Sequence, residues 1–417
     1  MTDRHPIRPG VLIVATEPWA PTAMLAGALH QSGFSVAAVC PKKNPLRHAR
    51  AVERCFPYSA WSPWRSIGKA IALHSPALLV PADDQAAYDL YELHGNCRKV
   101  SSAAATRTAS LIEASLGDPD AFAIARRKSA LIRLAQSCEF NVPETCVIET
   151  EEDLAQYSAR NAFPFVLKCD EAFGGRGVVI AWSNLEAAAA YKKLRMRSVA
   201  DRIRELFLSS RPALAVIRRS APAITTQRYV EGRPANRAVA CWKGRVLAGT
   251  TVLAVEVSRP PTGHATVVEF IANAEIDRTV ERLVARLGLS GFCGFDFILG
   301  LDGRAYLLEL NPRATPACWV GAGLENDLCG ALFAAQSGKP QPNDLRAAPP
   351  SARRVALFPL EWMRCPTSPH LYSSHHRVPW HDPQLVAHLI DEALNQPKFE
   401  PGFVGRLARR IVLGKAE

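Results

Sequence analysis

Asp296, Glu309 and Asn311 are the residues of this 417-residue chain whose types and spacing point most directly to a chemistry. They sit in two runs of alternating apolar and polar residues, 294–300 and 305–310, on either side of Leu301-Asp302-Gly303-Arg304. An Asp-Gly pair between such runs predicts a tight β-hairpin. A two-residue turn at Asp302 and Gly303 sets Phe297 opposite Leu308, Phe295 opposite Leu310 and Leu299 opposite Tyr306, one apolar face. The other face then opposes Asp296 to Glu309, with Asn311 two residues further on the same side. Like charges directly opposed across an antiparallel pair cost some tenths of a kcal/mol, and more where water is excluded, so a cation belongs between them. Two carboxylates and an amide oxygen are hard donors. They suit Mg²⁺ shared with phosphate oxygens, with Mn²⁺ as a substitute, rather than a thiolate metal site. Arg313 follows, with a guanidinium able to grip an anionic oxygen. An isolated acid pair of this kind is more often a solvated ribbon, and Asn-Pro-Arg immediately after Glu309 and Leu310 weighs against that.

Phosphate needs cations and unobstructed backbone N–H groups, and the chain offers both upstream. A helix expected over 120–138 carries an apolar stripe of Ile124, Leu131, Ala135 and Cys138 with Lys128 inside it, so that lysine must snorkel or reach an anion. A strand over 163–168 ends at Lys168, and the following loop holds Gly174, Gly175 and Gly177 before a return strand over 178–182. Glycines there let backbone N–H groups approach phosphate without side-chain obstruction.

These residues together resemble the ATP-grasp ligases: Lys128, Lys168 with its glycine loop, Asp296 on one strand and Glu309-Leu310-Asn311-Pro312-Arg313 on the next. The resemblance runs from about residue 120 to about 335 and is looser before. It implies ATP and Mg²⁺ as cofactors, with Asp296, Glu309 and Asn311 holding the metal, Lys128 and Lys168 on the phosphates, and Gly174, Gly175 and Gly177 covering them. Gln227, Tyr229, Val230 and Glu231 would line the hinge that meets the nucleoside. Lys168 and Arg313 are the catalytic expectations, Arg313 acting on the transferring group or the substrate carboxylate. The implied reaction joins a carboxylate to an amine or other nucleophile through an acyl phosphate and forms ADP. Carboxyphosphate chemistry of the carbamoyl-phosphate-synthase or biotin-carboxylase type is an alternative, as is a catalytically inactive nucleotide-binding regulatory protein. Two departures stand out. Many members place a ribose-binding acid just after the hinge glycine, where this chain has Arg233-Pro234-Ala235, leaving Glu231 as the substitute. Some place an arginine two residues before the metal-binding acid, where this chain has Gly294.

The elements that must position these residues read as an α/β and α+β chain. Apolar runs over 11–15, 35–40 and 77–80, with a helix over 21–31, give an open α/β pre-grasp domain over 1–115. Ala15-Thr16-Glu17-Pro18 after the first strand lacks the dinucleotide glycine fingerprint. Asp83 and Asp84, after the third run, are expected to cap a helix or to face the acceptor pocket. An ATP-grasp fold of two α+β subdomains over 116–335 follows, divided at 231/232, and a C-terminal extension over 336–417. A helix over 186–209 is strongly basic, two strands are expected around Lys243-Gly244-Arg245, and a helix over 276–288 precedes the hairpin.

Composition bounds the partners. The net charge of +11 favours anionic ones. No zinc finger or RNP-type motif appears, so nucleic acid is disfavoured. No run of about 18 apolar residues predicts a membrane span. Eleven cysteines without a CxxC pair point to a reducing cytoplasm. Small-molecule acids and amines are the expected substrates, and a homodimer the expected assembly. In the tail, the histidines of 370–388 near Cys365 match no closed zinc spacing. The basic amphipathic segment over 403–411 is expected to dock on the protein's own body, or less readily on a membrane surface.

Overall fold

The computed structural model describes residues 8–170, 177–208, 222–260, 262–324, 326–339 and 353–395, without the side chains of 197–208. Gly174, Gly175, the proline-rich stretch at 340–350 and the basic segment at 403–411 therefore lie outside the described residues.

Strands β1 (Gly10–Val14), β2 (Ser35–Cys40), β3 (Val52–Pro57) and β4 (Leu78–Pro81) form a parallel sheet in the order β3-β2-β1-β4. Continuous apolar runs suit it because both faces are covered. Val11 and Ile13 pack with Leu25 and Leu29 of the helix Ala20–Gln31. Leu12 and Val14 pack with Ile67 of the helix Pro63–His74 and Ile112 of the helix Ala103–Leu116. The winding reverses between β1 and β4, which opens a crevice at their carboxyl ends. Asp83 spans that crevice. Its carboxylate caps the helix Asp84–Cys97 through Ala86 N–H at 2.8 Å and accepts from Thr16 N–H at 2.6 Å and Thr16 Oγ1 at 2.8 Å.

The second sheet holds β5 (Thr145–Ile148), β6 (Phe165–Cys169), β7 (Val178–Ala181) and β8 (Ile224–Arg228), antiparallel in the order β5-β8-β6-β7. Phe165, Leu167, Ala181 and Ile224 fix one face under the helices Glu151–Arg160 and Asn184–Leu208. Side chains alternate, so Val166, Lys168, Thr225 and Gln227 all stand on the opposite face.

The third sheet is the largest: β9 (Gly232–Trp242), β10 (Arg245–Val257), β11 (Ala265–Ile271), β12 (Gly291–Gly300), β13 (Ala305–Asn311), β14 (Arg354–Ala356) and β15 (His375–His376), in the order β13-β12-β9-β10-β11-β14-β15. One face, through Ala238, Ala240, Phe292 and Val268, shares a core with the first sheet. The other, through Phe295, Phe297, Leu307 and Leu310, packs under Val280 and Leu283 of the helix Ala274–Arg286 and Leu131 of the helix Lys128–Ser137. The C-terminal residues are woven in: β14 pairs with β11, and Leu385 and Leu389 of the helix Pro383–Leu394 enter the core shared with β1. Among the described residues no helix is long and apolar enough to cross a membrane.

Two local expectations are corrected. The hairpin has a three-residue loop, Leu301-Asp302-Gly303: Gly300 N–H donates to Arg304 O at 2.9 Å, and Gly303 adopts φ +80°, the left-handed region that glycine enters without a Cβ clash. The distal register therefore shifts by one, pairing Phe297 with Leu307 and Leu299 with Ala305 in place of Leu308 and Tyr306. A bulge at Leu308 restores the register, so Asp296 does face Glu309 and Phe295 does face Leu310. The bulge lets Leu307 and Leu310 both reach the core. The expected helix over 120–138 is broken. A helix Phe122–Arg126 ends at Arg127, which is extended at φ −120° and ψ 115°, and a new helix starts at Lys128. The lysine thus opens a helix instead of interrupting an apolar stripe.

Candidate active site

Strand pairing brings the acids together and long-range pairing completes their setting. Asp296 faces Glu309 on β13 and Asn236 on β9. Its two oxygens accept from Asn236 Nδ2 at 2.6 Å and Asn311 Nδ2 at 2.9 Å. Burial, then the charge of Glu309, raises the Asp296 pKa to about 7. Burial also opposes ionisation of Glu309, but Lys128 outweighs it, and the Glu309 pKa falls to about 2. The Lys128 ammonium lies 2.7 Å from Glu309 Oε2. Burial works against that ammonium too, and Glu309 more than compensates, so its pKa rises. The cation that the acid pair requires is thus supplied here by the chain itself.

Lys168, next to last in β6, stands on the face opposite Phe165 and Leu167 and is only 8% exposed. Burial lowers its pKa to about 8, against the attraction of Glu309 and Asp296. The scaffolds of the two lysines are joined by Asp170, which accepts from Ser129 N–H at 3.1 Å and Ser129 Oγ at 2.6 Å, tying the end of β6 to the start of the Lys128 helix. Arg313 is half-buried, 3.0 Å from Asp84 Oδ2 and donating to Asn311 Oδ1 at 3.1 Å. Burial disfavours its charge, Asp84 overrides this, and its pKa rises. Asp83 therefore caps a helix, while Asp84 reaches the acid cluster through Arg313.

Gly294 has a steric reason to be glycine. A Cβ there would overlap Thr315 Cγ2 and crowd Asn236, and Thr315 Oγ1 donates to Asn236 Oδ1 at 3.3 Å. An arginine has no room at this position.

On that face of the second sheet, register places Lys168 in a row with Thr225 and Val178, and Val166 in a row with Gln227 and Ile180. Gln227 is buried and donates to Thr145 Oγ1 at 3.0 Å. One step further lies the connector 229–231 between β8 and β9. Tyr229 and Val230 are half-buried, Glu231 is exposed, and the Glu231 carbonyl accepts from Leu301 N–H at 3.2 Å. There the Tyr229 and Trp182 rings approach to 6.2 Å at 50°, with Trp182 61% exposed. Gly177 is buried, and its carbonyl accepts from Cys169 N–H at 2.9 Å at the open end of β6 and β7.

Lys128, Lys168, Asp296, Glu309, Asn311 and Arg313 are accordingly brought into one cluster, with the connector residues at the other end of the same face. Asn236, Asp170 and Trp182 were not assigned to the site from sequence. Asn236 is recognisable only once β9 is paired with β12. Trp182, directly after an apolar strand, carried a signal in its position.

A family model described as the ATP-grasp domain matches residues 127–317. Among solved structures, N5-carboxyaminoimidazole synthetase from Staphylococcus aureus is 12% identical, with 81% of this chain and 80% of that one covered and a TM-score of 0.56. L-amino acid ligase from Bacillus licheniformis is 16% identical, with 79% and 75% covered and a TM-score of 0.56. The biotin carboxylase domain of Hydrogenobacter thermophilus 2-oxoglutarate carboxylase, in complex with MgADP, ADP and bicarbonate, is 14% identical, with 82% and 72% covered and a TM-score of 0.58. No curated protein sequence matches the chain.

Proposed function

We propose that this protein, whose residues 127–317 match the ATP-grasp family model, is an ATP- and Mg²⁺-dependent ligase that joins a carboxylate to an amine or another nucleophile, releasing ADP and phosphate. The observation that carries the proposal is the convergence of Lys128, Lys168, Asp296 and Glu309 at one end of a sheet face whose other end is the connector 229–231.

Asp296, Glu309 and Asn311 offer only oxygen donors, and Glu309 already holds a cation in the form of Lys128, so the set fits Mg²⁺. When bound, Mg²⁺ offsets the negative charge of the phosphoryl group in transit. Mn²⁺ has the same donor preference and would substitute. Lys128 and Lys168 hold phosphate oxygens of ATP, the glycine loop with Gly174, Gly175 and Gly177 covers them, and Gln227, Tyr229, Val230 and Glu231 meet the nucleoside. Trp182, exposed beside Tyr229, adds an aromatic face for the base. Arg313 holds the carboxylate as one of its oxygens attacks the γ-phosphorus and ADP leaves. The amine then attacks the carbonyl carbon of the acyl phosphate, and phosphate departs with the C–O bond electrons. Binding and orientation supply the rate enhancement, and no side-chain nucleophile is needed.

The partners in this reading are small-molecule acids and amines acting on a homodimer, and the eleven free cysteines suit the cytoplasm. Purified protein given ATP, Mg²⁺ and the right acid and amine should release ADP and phosphate. Glu309→Ala should abolish it, and full turnover in that variant would remove the metal assignment. A bicarbonate-using reaction is the second reading, favoured by the bicarbonate named in the similar biotin carboxylase structure. Bicarbonate dependence of ATP hydrolysis separates the two.

A further inference from the structure

The helix Asp84–Cys97 is anchored beside the first sheet along its length. Asp83 ties its start to Thr16 after β1, the buried Asp89 accepts from Tyr58 Oη at 2.7 Å and Gln85 Nε2 at 2.8 Å, and His94 Nε2 lies 2.7 Å from Glu113 Oε1. Another side of the helix carries Asp84, Tyr88 and Glu92 at intervals of four residues, with Tyr91 beside them. Asp84 holds Arg313. The other three all hold the short helix Phe122–Arg126. Tyr91 stacks on Phe122 with ring centroids 4.1 Å apart, the Arg126 guanidinium lies 4.8 Å from the centre of the Tyr88 ring, and Arg126 Nη1 is 3.6 Å from Glu92 Oε1. Tyr88, only 6% exposed, also donates from its hydroxyl to the Arg126 carbonyl at 3.1 Å.

That carbonyl stands at the break before Lys128. The last carbonyls of a helix have no partner within it. The next helix does not take this one up, since Ala130 and Leu131 N–H both donate to Arg127 O, at 3.0 and 3.1 Å. Arg127 is the one extended residue between the two helices, so an anchor on the Arg126 carbonyl sets where the Lys128 helix begins. We propose that Tyr88 is a positioning residue: its hydroxyl fixes the backbone two residues ahead of Lys128 and so holds the Lys128 ammonium on Glu309 and, with ATP bound, on phosphate. Asp84, one turn earlier on the same helix, positions Arg313 by direct contact. One anchored helix thereby sets the phosphate lysine and the carboxylate arginine at a fixed separation, which is what alignment of the reacting groups requires. The proposal rests on the ligase reading above.

Tyr88→Phe in the full chain removes the hydroxyl and keeps the ring beside Arg126, so the packing survives. Calorimetric ATP affinity should fall about three- to fivefold, the scale of one neutral hydrogen bond. Nucleotide-free Mn²⁺ affinity, read by electron paramagnetic resonance, should rise about two- to threefold, because the ammonium competing for Glu309 is held less well. Beside Lys128→Met the substitution should be silent: in a double-mutant cycle it changes neither affinity by more than about 1.3-fold once the lysine is gone. A residue that only supports the fold would lower both affinities and act equally in either background. Effects additive with Lys128→Met, or both affinities unchanged in Tyr88→Phe, overturn the proposal. If Lys128→Met alone keeps the parent's ATP affinity, the phosphate role of Lys128 falls, and the Mn²⁺ shift with its cycle still decides Tyr88. If the parent binds neither ATP nor Mn²⁺, both readings fall.

Discussion

Replacing Lys128 with methionine should make the protein bind a divalent cation better and a nucleotide worse. The Lys128 ammonium lies 2.7 Å from Glu309 Oε2, with the two side chains 19% and 26% exposed. At an effective dielectric of about 20 the gross attraction at that distance is about 6 kcal/mol. Desolvation cancels most of it, and a net value of about 1.5 kcal/mol suits a partly exposed, charge-assisted hydrogen bond. A cation arriving without nucleotide must displace the ammonium, and 1.4 kcal/mol corresponds to about tenfold in affinity. With nucleotide present the phosphates give Lys128 an alternative partner and the competition is relieved. Lys128→Met should therefore raise nucleotide-free Mn²⁺ affinity about tenfold while weakening ATP binding. Electron paramagnetic resonance titration of Mn²⁺ at pH 8, above the Asp296 pKa of about 7, reads the first effect, and calorimetry reads the second. Damage to the fold would weaken both, so opposite signs identify the mechanism. Unchanged or weaker Mn²⁺ binding in a normally folded variant would refute the reasoning.

Three further outcomes follow from particular contacts. Burial lowers the Lys168 pKa to about 8, so the ammonium is lost as pH rises through that value, and ATP affinity should decline by up to about tenfold per pH unit above it. Lys168→Arg should flatten the calorimetric profile between pH 7 and 9.5, and a wild-type profile that is already flat argues against a phosphate role. Trp182→Ala should weaken ATP binding roughly tenfold, the scale of one base–aromatic stack, with Trp182→Phe recovering most of it. A wild-type dissociation constant in the alanine variant removes Trp182 from the nucleotide site. Gly294→Ala should cost about 1–3 kcal/mol in urea unfolding, because the new Cβ overlaps Thr315 Cγ2 in a packed setting, and Thr315→Ser should restore much of the loss. An alanine variant as stable as the parent would show that Thr315 moves freely.

The opposed acid pair was legible in the sequence because its information is local. Fifteen residues or so of alternating pattern with Asp-Gly between them determine which side chains oppose one another. The same pattern misjudged the turn by one residue, since a bulge at Leu308 is invisible to strict alternation, and only the need for both Leu307 and Leu310 to enter the core fixes its position. The single long helix over 120–138 failed for a related reason. Its stripe is periodic across Arg127, but Asp170, some forty residues away, binds Ser129 and starts a new helix at Lys128, overriding propensity through a tertiary cap. Asn236 was beyond reach because it meets the cluster only through Asp296, a partner distant in sequence, and the two roles open to Asp83 and Asp84 are told apart only by the pairing of Asp84 with Arg313. The tail was unreadable for the opposite reason. Three-residue β14 carries too little pattern to announce a strand, yet pairing with β11 gives it one. The opposition of Asp296 and Glu309 was therefore legible in a short motif, and what positions it, a cap, a bulge and two contacts between residues distant in sequence, had to be supplied by the folded chain.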